Sequence, residues 1–243
     1  MIEKLQDIIN SSNSIVFFGG AGVSTESGIP DFRSTSGLYH QEWHYPPETI
    51  LSKTFFNQYP ADFYRFYKAK MITENVNPNP AHLKLAEMEA HGKLNCVITQ
   101  NIDGLHQKAG SKTVHELHGS TLRNYCTECN AFYDITYITN NENWDAKGIP
   151  RCAKCNGIIK PDVVLYEENL DPATLSNSKK AITEAEVLII GGTSLVVYPA
   201  ASLINYFKGR KLVLINKLET QADHRASLVI HDSIGKVFSQ IQV

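Results

Sequence analysis

No stretch of this 243-residue chain approaches the roughly 18 consecutive apolar residues that a membrane-spanning helix needs. Its amino terminus, Met1-Ile2-Glu3-Lys4-Leu5-Gln6-Asp7, lacks the basic n-region and apolar h-region of a secretory signal. Neither sign of charge dominates: 23 Lys and Arg face 25 Asp and Glu, a formal net charge of −2. That balance offers no electrostatic footprint for nucleic acid or an anionic membrane surface. Internal repeats, long charge runs and flexible linkers are missing too. With 42% hydrophobic and 20% charged residues, disordered and collagen-like chains are excluded. These absences predict a cytoplasmic globular protein without membrane or nucleic-acid partners. The length suits one large domain, or a core domain carrying an insert.

Cysteine is scarce and clustered. Cys126, Cys129, Cys152 and Cys155 form two C-x-x-C pairs, while Cys96 stands alone in an apolar stretch. An odd, clustered count without a secretion signal argues against a disulfide framework. Thiolates two residues apart grip one metal from a tight turn, and two such turns complete a tetrahedral four-thiolate zinc site. The 22 residues between Cys129 and Cys152 slightly exceed the usual ribbon spacing. A filled shell leaves no open position for water, so this zinc is expected to be structural. Redox pairs or unliganded core thiols are the alternative, disfavoured because no thioredoxin-like βαβ pattern surrounds either pair.

Short apolar runs at Ser14 to Phe18, Leu94 to Thr99, Val187 to Ile190, Lys211 to Ile215 and Leu228 to Ile230 read as strands. Their near-continuous apolarity, without alternation, predicts a sheet covered on both faces. Asn79-Pro80-Ala81 offers an N-cap with proline in the first turn. Leu83, Ala86 and Met88 fit the apolar face of the helix that follows, and Gly92 closes it. Pro199 to Phe207 reads as another helix. Strands alternating with helices define an α/β doubly wound parallel sheet. Two stretches break the alternation: an aromatic, proline-rich helical insert at about 33–78 and the cysteine-bearing insert at about 120–160. The core is then expected from about 1–32, 79–119 and 161–243, with both inserts joined in one smaller module.

Three strand exits carry polar or glycine-rich loops. Phe18-Gly19-Gly20-Ala21-Gly22-Val23-Ser24 follows the first strand, and glycines there let backbone approach a phosphate at a helix start. Thr25 occupies the third-glycine position of a dinucleotide fingerprint, and the ribose-binding acid of dehydrogenases is missing about 20 residues on. A tight strand-to-helix turn would explain this segment equally well. Gly191-Gly192-Thr193-Ser194 and Thr99-Gln100-Asn101-Ile102-Asp103 are the other two exits, at strand ends where doubly wound sheets bind ligands. His115-Glu116-Leu117-His118-Gly119 has its histidines three apart, one short of the metalloprotease H-E-x-x-H. A free imidazole base is a better reading than a zinc ligand, and on this fragment alone a purely structural histidine stays open.

Together these segments resemble the sirtuins, the NAD-dependent protein deacylases. The matching stretches are Gly20 to Ser24 with Ser27-Gly28-Ile29-Pro30-Asp31-Phe32-Arg33, Thr99 to His106, and His118-Gly119. Both cysteine pairs, Lys160-Pro161-Asp162-Val163-Val164, Gly192 to Ala200 and Ile215-Asn216 complete the set, in the family's order along nearly the whole chain. Gly19 replaces the threonine that often precedes Gly-Ala-Gly.

The resemblance implies a Rossmann-like core and a bacterial-type deacetylase. NAD would be its co-substrate, one structural Zn2+ would be bound, and acetyl-lysine proteins would be its partners. Ala21, Thr25 and Arg33 would contact the cofactor's phosphates and ribose, and Phe32 would shield the nicotinamide side. Ile102 and Asp103 would hold the nicotinamide carboxamide, while Gln100 and Asn101 would bond the ribose region and an ordered water. Thr193, Ser194, Asn216 and Ile234 would frame the adenosine end. His118 would act as the base, with Asn101 and Asp103 completing the catalytic set. The substrate peptide would lie extended against Phe32, Val163, Val164, Leu195 and Val197. Products would be free lysine, nicotinamide and O-acetyl-ADP-ribose. Sirtuins that prefer acidic acyl chains carry a Tyr-x-x-Arg pair. Here Tyr64 is followed by Tyr67 at the arginine's place, which implies deacetylation over desuccinylation.

Three other functions remain to be weighed. A mono-ADP-ribosyltransferase would use the same NAD site. A dehydrogenase is disfavoured by the missing ribose acid. A zinc-ribbon nucleic-acid module is disfavoured because residues 119–160 set five basic groups against four acids, no phosphate-binding stripe. A monomer is expected.

Overall fold

The computed structural model describes residues 1–32, 37, 43–73 and 75–243. Arg33 lies outside the described residues. A six-stranded parallel sheet forms the larger layer, built from β1 (Ile15–Gly19), β2 (Leu94–Thr99), β3 (Val114–Glu116), β7 (Val187–Gly191), β8 (Lys211–Ile215) and β9 (Leu228–Ile230). Their order is β3-β2-β1-β7-β8-β9. The chain therefore builds outward from β1 in one direction, then returns to its other side at β7. Between β1 and β7 lies the switch point where open α/β sheets place ligands.

Alternation within each buried strand explains the continuous apolar runs. Ile15, Phe17, Val187, Ile189, Val213 and Ile215 face one core with Leu5, Leu85 and Phe238. Val16, Phe18, Leu188, Ile190, Leu212 and Leu214 face the other with Ile182, Leu203 and Ile204. Helices α1 (Ile2–Asn10), α5 (Pro80–Ala90) and α9 (Ile234–Phe238) cover the first face, and α8 (Pro172–Glu184) with the 3-10 helix Ala200–Tyr206 covers the second. Short α6 (Leu105–Ala109) follows β2.

Two expected helices differ in detail. Asn79 does cap α5, its side chain accepting from Ala81 N–H at 2.9 Å. The inward face, however, is Ala81, Leu85 and Met88, while Leu83 is 52% exposed. Pro199 to Phe207 winds as a 3-10 helix and not an α-helix.

The second layer joins the three-stranded antiparallel sheet β5-β4-β6, with β4 (Gly119–Cys126), β5 (Phe132–Asp134) and β6 (Ile159–Val163). Short helix α7 (Ile135–Thr139) follows β5. Against it pack α2 (Pro47–Ile50), α3 (Lys53–Gln58) and α4 (Pro60–Lys70) around Phe55, Phe56, Phe63, Tyr64, Phe66 and Tyr67. Residues of the two inserts meet directly. The Tyr64 hydroxyl donates to the Ile159 carbonyl, and the Tyr64 and Trp144 rings meet edge-on at 5.5 Å.

Candidate active site and metal centre

The exits of β1, β2 and β7 are stitched side by side. Gly22 N–H donates to Gly192 O at 2.8 Å, Gln100 N–H to Gly19 O at 3.0 Å, and Gln100 Nε2 to Thr193 Oγ1 at 3.1 Å. Such close approach requires glycine. A Cβ on Gly22 would stand 2.8 Å from the Gly192 backbone, and one on Gly20 would stand 2.9 Å from Thr193 Cβ. Ala21 and Thr25 sit half-buried on this turn, with the Thr25 hydroxyl bonded to Gly22 O at 3.0 Å. The turn is a backbone cradle of the kind a dinucleotide phosphate needs.

His118 stands between the two layers. Its Nδ1 lies 3.0 Å from the Gln100 carbonyl. A carbonyl only accepts, so Nδ1 carries the proton and Nε2 keeps its lone pair. Burial lowers the imidazole's pKa from its ordinary 6.5, opposed by the Gln100 hydrogen bond, so the ring is a neutral base near physiological pH. Its carbonyl accepts from Val164 N–H at 3.0 Å. Arg123 brackets the same junction, donating to Glu116 and to Asp162 at 2.8 Å each. Gly119, at φ 75°, has no room for a side chain: a Cβ would fall 1.8 Å from Asp162 O.

Asn101 and Asp103 lie beyond Gln100. Asn101 Nδ2 donates to Ser24 Oγ at 3.0 Å, and Ser24 Oγ donates to Asp103 Oδ2 at 2.7 Å. The Leu105 N–H holds Asp103 Oδ1 at 2.9 Å. Buried Ser24 is a site residue that the sequence reading passed over, although it stands within the glycine-rich motif. Ile102 and Phe32 each pack against the aromatic core, and the Ile102 carbonyl accepts from both the N–H and hydroxyl of Thr121.

The remaining expected contacts divide. Thr193 is buried, its hydroxyl accepting from Gln100 and from Leu195 N–H; Ser194 is exposed. Asn216 turns its amide to the Leu218 carbonyl at 2.8 Å. The Ile234 side chain is buried in the core at the start of α9, packed against Gly191. Leu195 has a buried side chain, its N–H is bonded to Thr193 Oγ1 and its carbonyl accepts from Gln221. The Val163 carbonyl accepts from Lys160 Nζ at 2.9 Å and the Val197 carbonyl from Ala201 N–H at 2.8 Å. Val196, between Leu195 and Val197, is half-exposed.

At the other end of the smaller layer, the sulfurs of Cys126, Cys129, Cys152 and Cys155 all lie within 4.8 Å of one another. Cys126–Cys155 and Cys129–Cys152 are separated by 3.4 and 3.6 Å. Tetrahedral zinc at about 2.3 Å from each sulfur sets them about 3.8 Å apart, so the set fits. Donors converge on the sulfurs: Glu128 N–H on Cys126, Lys154 N–H on Cys152, each at 3.4 Å, and the Tyr133 hydroxyl 3.0 Å from Cys152. Such donors stabilise thiolate charge around a metal.

A switch-point cradle, a neutral histidine base and a remote four-cysteine cluster define a dinucleotide-using enzyme with a structural metal module. Residues 20–199 match the model of the Sir2 family, and the chain belongs to that family. A "NAD-dependent protein deacetylase" of Clostridium perfringens is 60% identical over 243 residues, covering 99% of this chain and 98% of that protein. A solved Sir2 complex with deacetylated p53 peptide and 3'-O-acetyl ADP-ribose superposes at a TM-score of 0.90, with 38% identity and 98% and 96% of the two chains covered. A Sir2 complex with p53 peptide and NAD+ gives 0.87, again at 38% identity, covering 99% and 96%.

Proposed function

We propose that this chain removes acetyl groups from protein lysine side chains with NAD as co-substrate, giving nicotinamide, free lysine and O-acetyl-ADP-ribose. The observation that carries it is the fixed tautomer of His118, a neutral base that keeps its Nε2 lone pair beside the β2 exit. Bound NAD supplies an electrophilic ribose carbon, because its cationic nicotinamide is a good leaving group. In this reading Ala21, Thr25 and Arg33 hold phosphate and ribose, with Gln100 and Asn101 beside the ribose. Thr193, Ser194, Asn216 and the backbone of Ile234 frame the adenosine end. Asp103 accepts from the carboxamide NH2 beside Ile102, and Phe32 excludes water. His118 Nε2 takes a proton from a ribose hydroxyl, a step worth about 10²–10⁴-fold. Acetyl-lysine peptides lie extended between the layers, against Phe32, Val163, Val164, Leu195 and Val197. The four cysteines hold one zinc.

The surroundings of the acyl site favour neutral chains. Arg65 is exposed and paired with Asp62 at 2.9 Å. Lys68 contacts Asn141 and stands over the Trp144 ring at 5.0 Å. Both cations are engaged by side chains of the smaller layer. The ADP-ribosyltransferase alternative has weaker support, since the similar proteins are named for deacetylation and one similar complex pairs a deacetylated peptide with acetyl ADP-ribose. Among the described residues no helix is long and apolar enough to cross a membrane. The reading includes a cytoplasmic monomer that does not engage nucleic acid. Mass spectrometry of an acetyl-lysine peptide with and without NAD tests it: acetyl-ADP-ribose should form only with NAD, and ADP-ribosylated peptide would overturn it.

A further inference from the structure

Ser24 is held from a second side by a residue of α5. His82, fully buried at the third position of that helix, places Nε2 3.5 Å from Ser24 Oγ. Its Nδ1 accepts from the Asn79 N–H at 3.2 Å, the return half of the helix's capping box. Because a backbone N–H only donates, Nδ1 is the unprotonated nitrogen, and the ring proton of the neutral imidazole sits on Nε2. Burial lowers the His82 pKa to about 4, despite the opposing charge of Asp103, so the ring is neutral at pH 7.

A hydroxyl has two acceptor sites and one proton. His82 Nε2–H and Asn101 Nδ2–H fill the acceptor sites of Ser24, leaving its proton one direction, toward Asp103 Oδ2. The same polarity makes Asn101 present its NH2 to Ser24, which fixes the way its amide is turned. We infer that His82 is a positioning residue for the nicotinamide step: through Ser24 it orients the Asp103 carboxylate and the Asn101 amide, with its own tautomer set by the α5 cap. This rests on the reading that Asp103 holds the nicotinamide carboxamide.

The direct test is a long-range 1H–15N correlation spectrum of the wild-type enzyme at neutral pH. His82 should be protonated on Nε2 alone; protonation on Nδ1 would overturn the relay whether or not any variant folds. Kinetics give the functional test. His82→Leu, which removes the donor, should lower nicotinamide exchange about 3- to 10-fold, the effect of one lost hydrogen bond. It should raise the KM for NAD while leaving the KM for acetyl peptide unchanged. His82→Gln keeps an acceptor for Asn79 and a donor for Ser24, and should recover most of the loss. In a Ser24→Ala background His82→Leu should add no further loss. Unchanged exchange in His82→Leu, or an equal loss in both backgrounds, would overturn the proposal. Wild-type deacetylation, measured alongside, reports on the NAD-dependent reading separately.

Discussion

In the six-stranded sheet, neighbouring residues of one strand serve two different cores: Phe17 packs against α1, α5 and α9, while Phe18 packs against α8 and the 3-10 helix. The three-stranded sheet has no such depth. Its own described cluster is Cys126, Tyr133, Ile138, Cys152 and Ile159, two of them metal-site cysteines. The larger layer is held by apolar burial, which needs no ligand, at roughly 25 cal/mol per Å². The helical side of the smaller layer has an aromatic core of its own, but the cysteine-bearing end has only this small cluster and is expected to depend on its four sulfurs. His118 and the β2 exit lie where the two layers meet.

His118→Ala separates chemistry from both supports and should have the largest effect. Deacetylation should fall by at least about 10²-fold while NAD still binds, measured by turnover and by titration of the cofactor. Retention of more than about a tenth of wild-type turnover would move the base elsewhere. In the wild type, falling pH protonates the base, so the acid limb of the rate profile should lie below the ordinary 6.5.

Removing the metal should break the comparison at its weaker side. Chelation, Cys126→Ala or Cys155→Ala should lower stability and activity together, with one zinc per chain in the intact protein by metal analysis. A metal-free preparation that stays folded and fully active would refute the dependence of the smaller layer.

The helical side of that layer should set acyl choice. With Tyr67 buried and Arg65 paired with Asp62, a succinyl carboxylate would be buried without a bidentate partner, which is costly. kcat/KM on matched peptides should be at least about tenfold higher for acetyl, the factor that 1.4 kcal/mol gives. Equal rates would show that a cation reaches the pocket.

The larger layer carries its own, gentler weakness. Burial lowers His82 to about 4 and His106 to about 3. The unfolded chain keeps values near 6.5, so between those limits it binds protons that the native state refuses. Stability should be full above about pH 6.5 and decline as the pH falls toward 4. Urea midpoints at pH 7.5, 5.5 and 4.5 would show it; a flat series would not.

Much of this was readable from residue order alone. Leu94 to Thr99, Lys211 to Ile215 and Leu228 to Ile230 are strands at the expected bounds, because burial on both faces leaves an unbroken apolar run. The cysteine pairs meet as their spacing implied. What escaped was set by tertiary partners. Leu83 points to solvent because the α5 cap at Asn79, bonded to Val23 and Ser27, turns the helix so that Ala81, Leu85 and Met88 face the sheet. The bond from Gln221 to the Leu195 carbonyl joins residues that no local pattern links. Ser24 and His82 are 58 residues apart, and no local pattern joins them.

One hydrogen bond also sets the tolerance of the machine. Gly119, lacking a side chain, lets β4 lie against β6 so closely that the Val164 N–H donates to the His118 carbonyl at 3.0 Å. His118 and Val164 are thus cut from one jig. Thermal excursions that shift one carry the other along, so their alignment error is that of a single bond and not the accumulated slack of two layers.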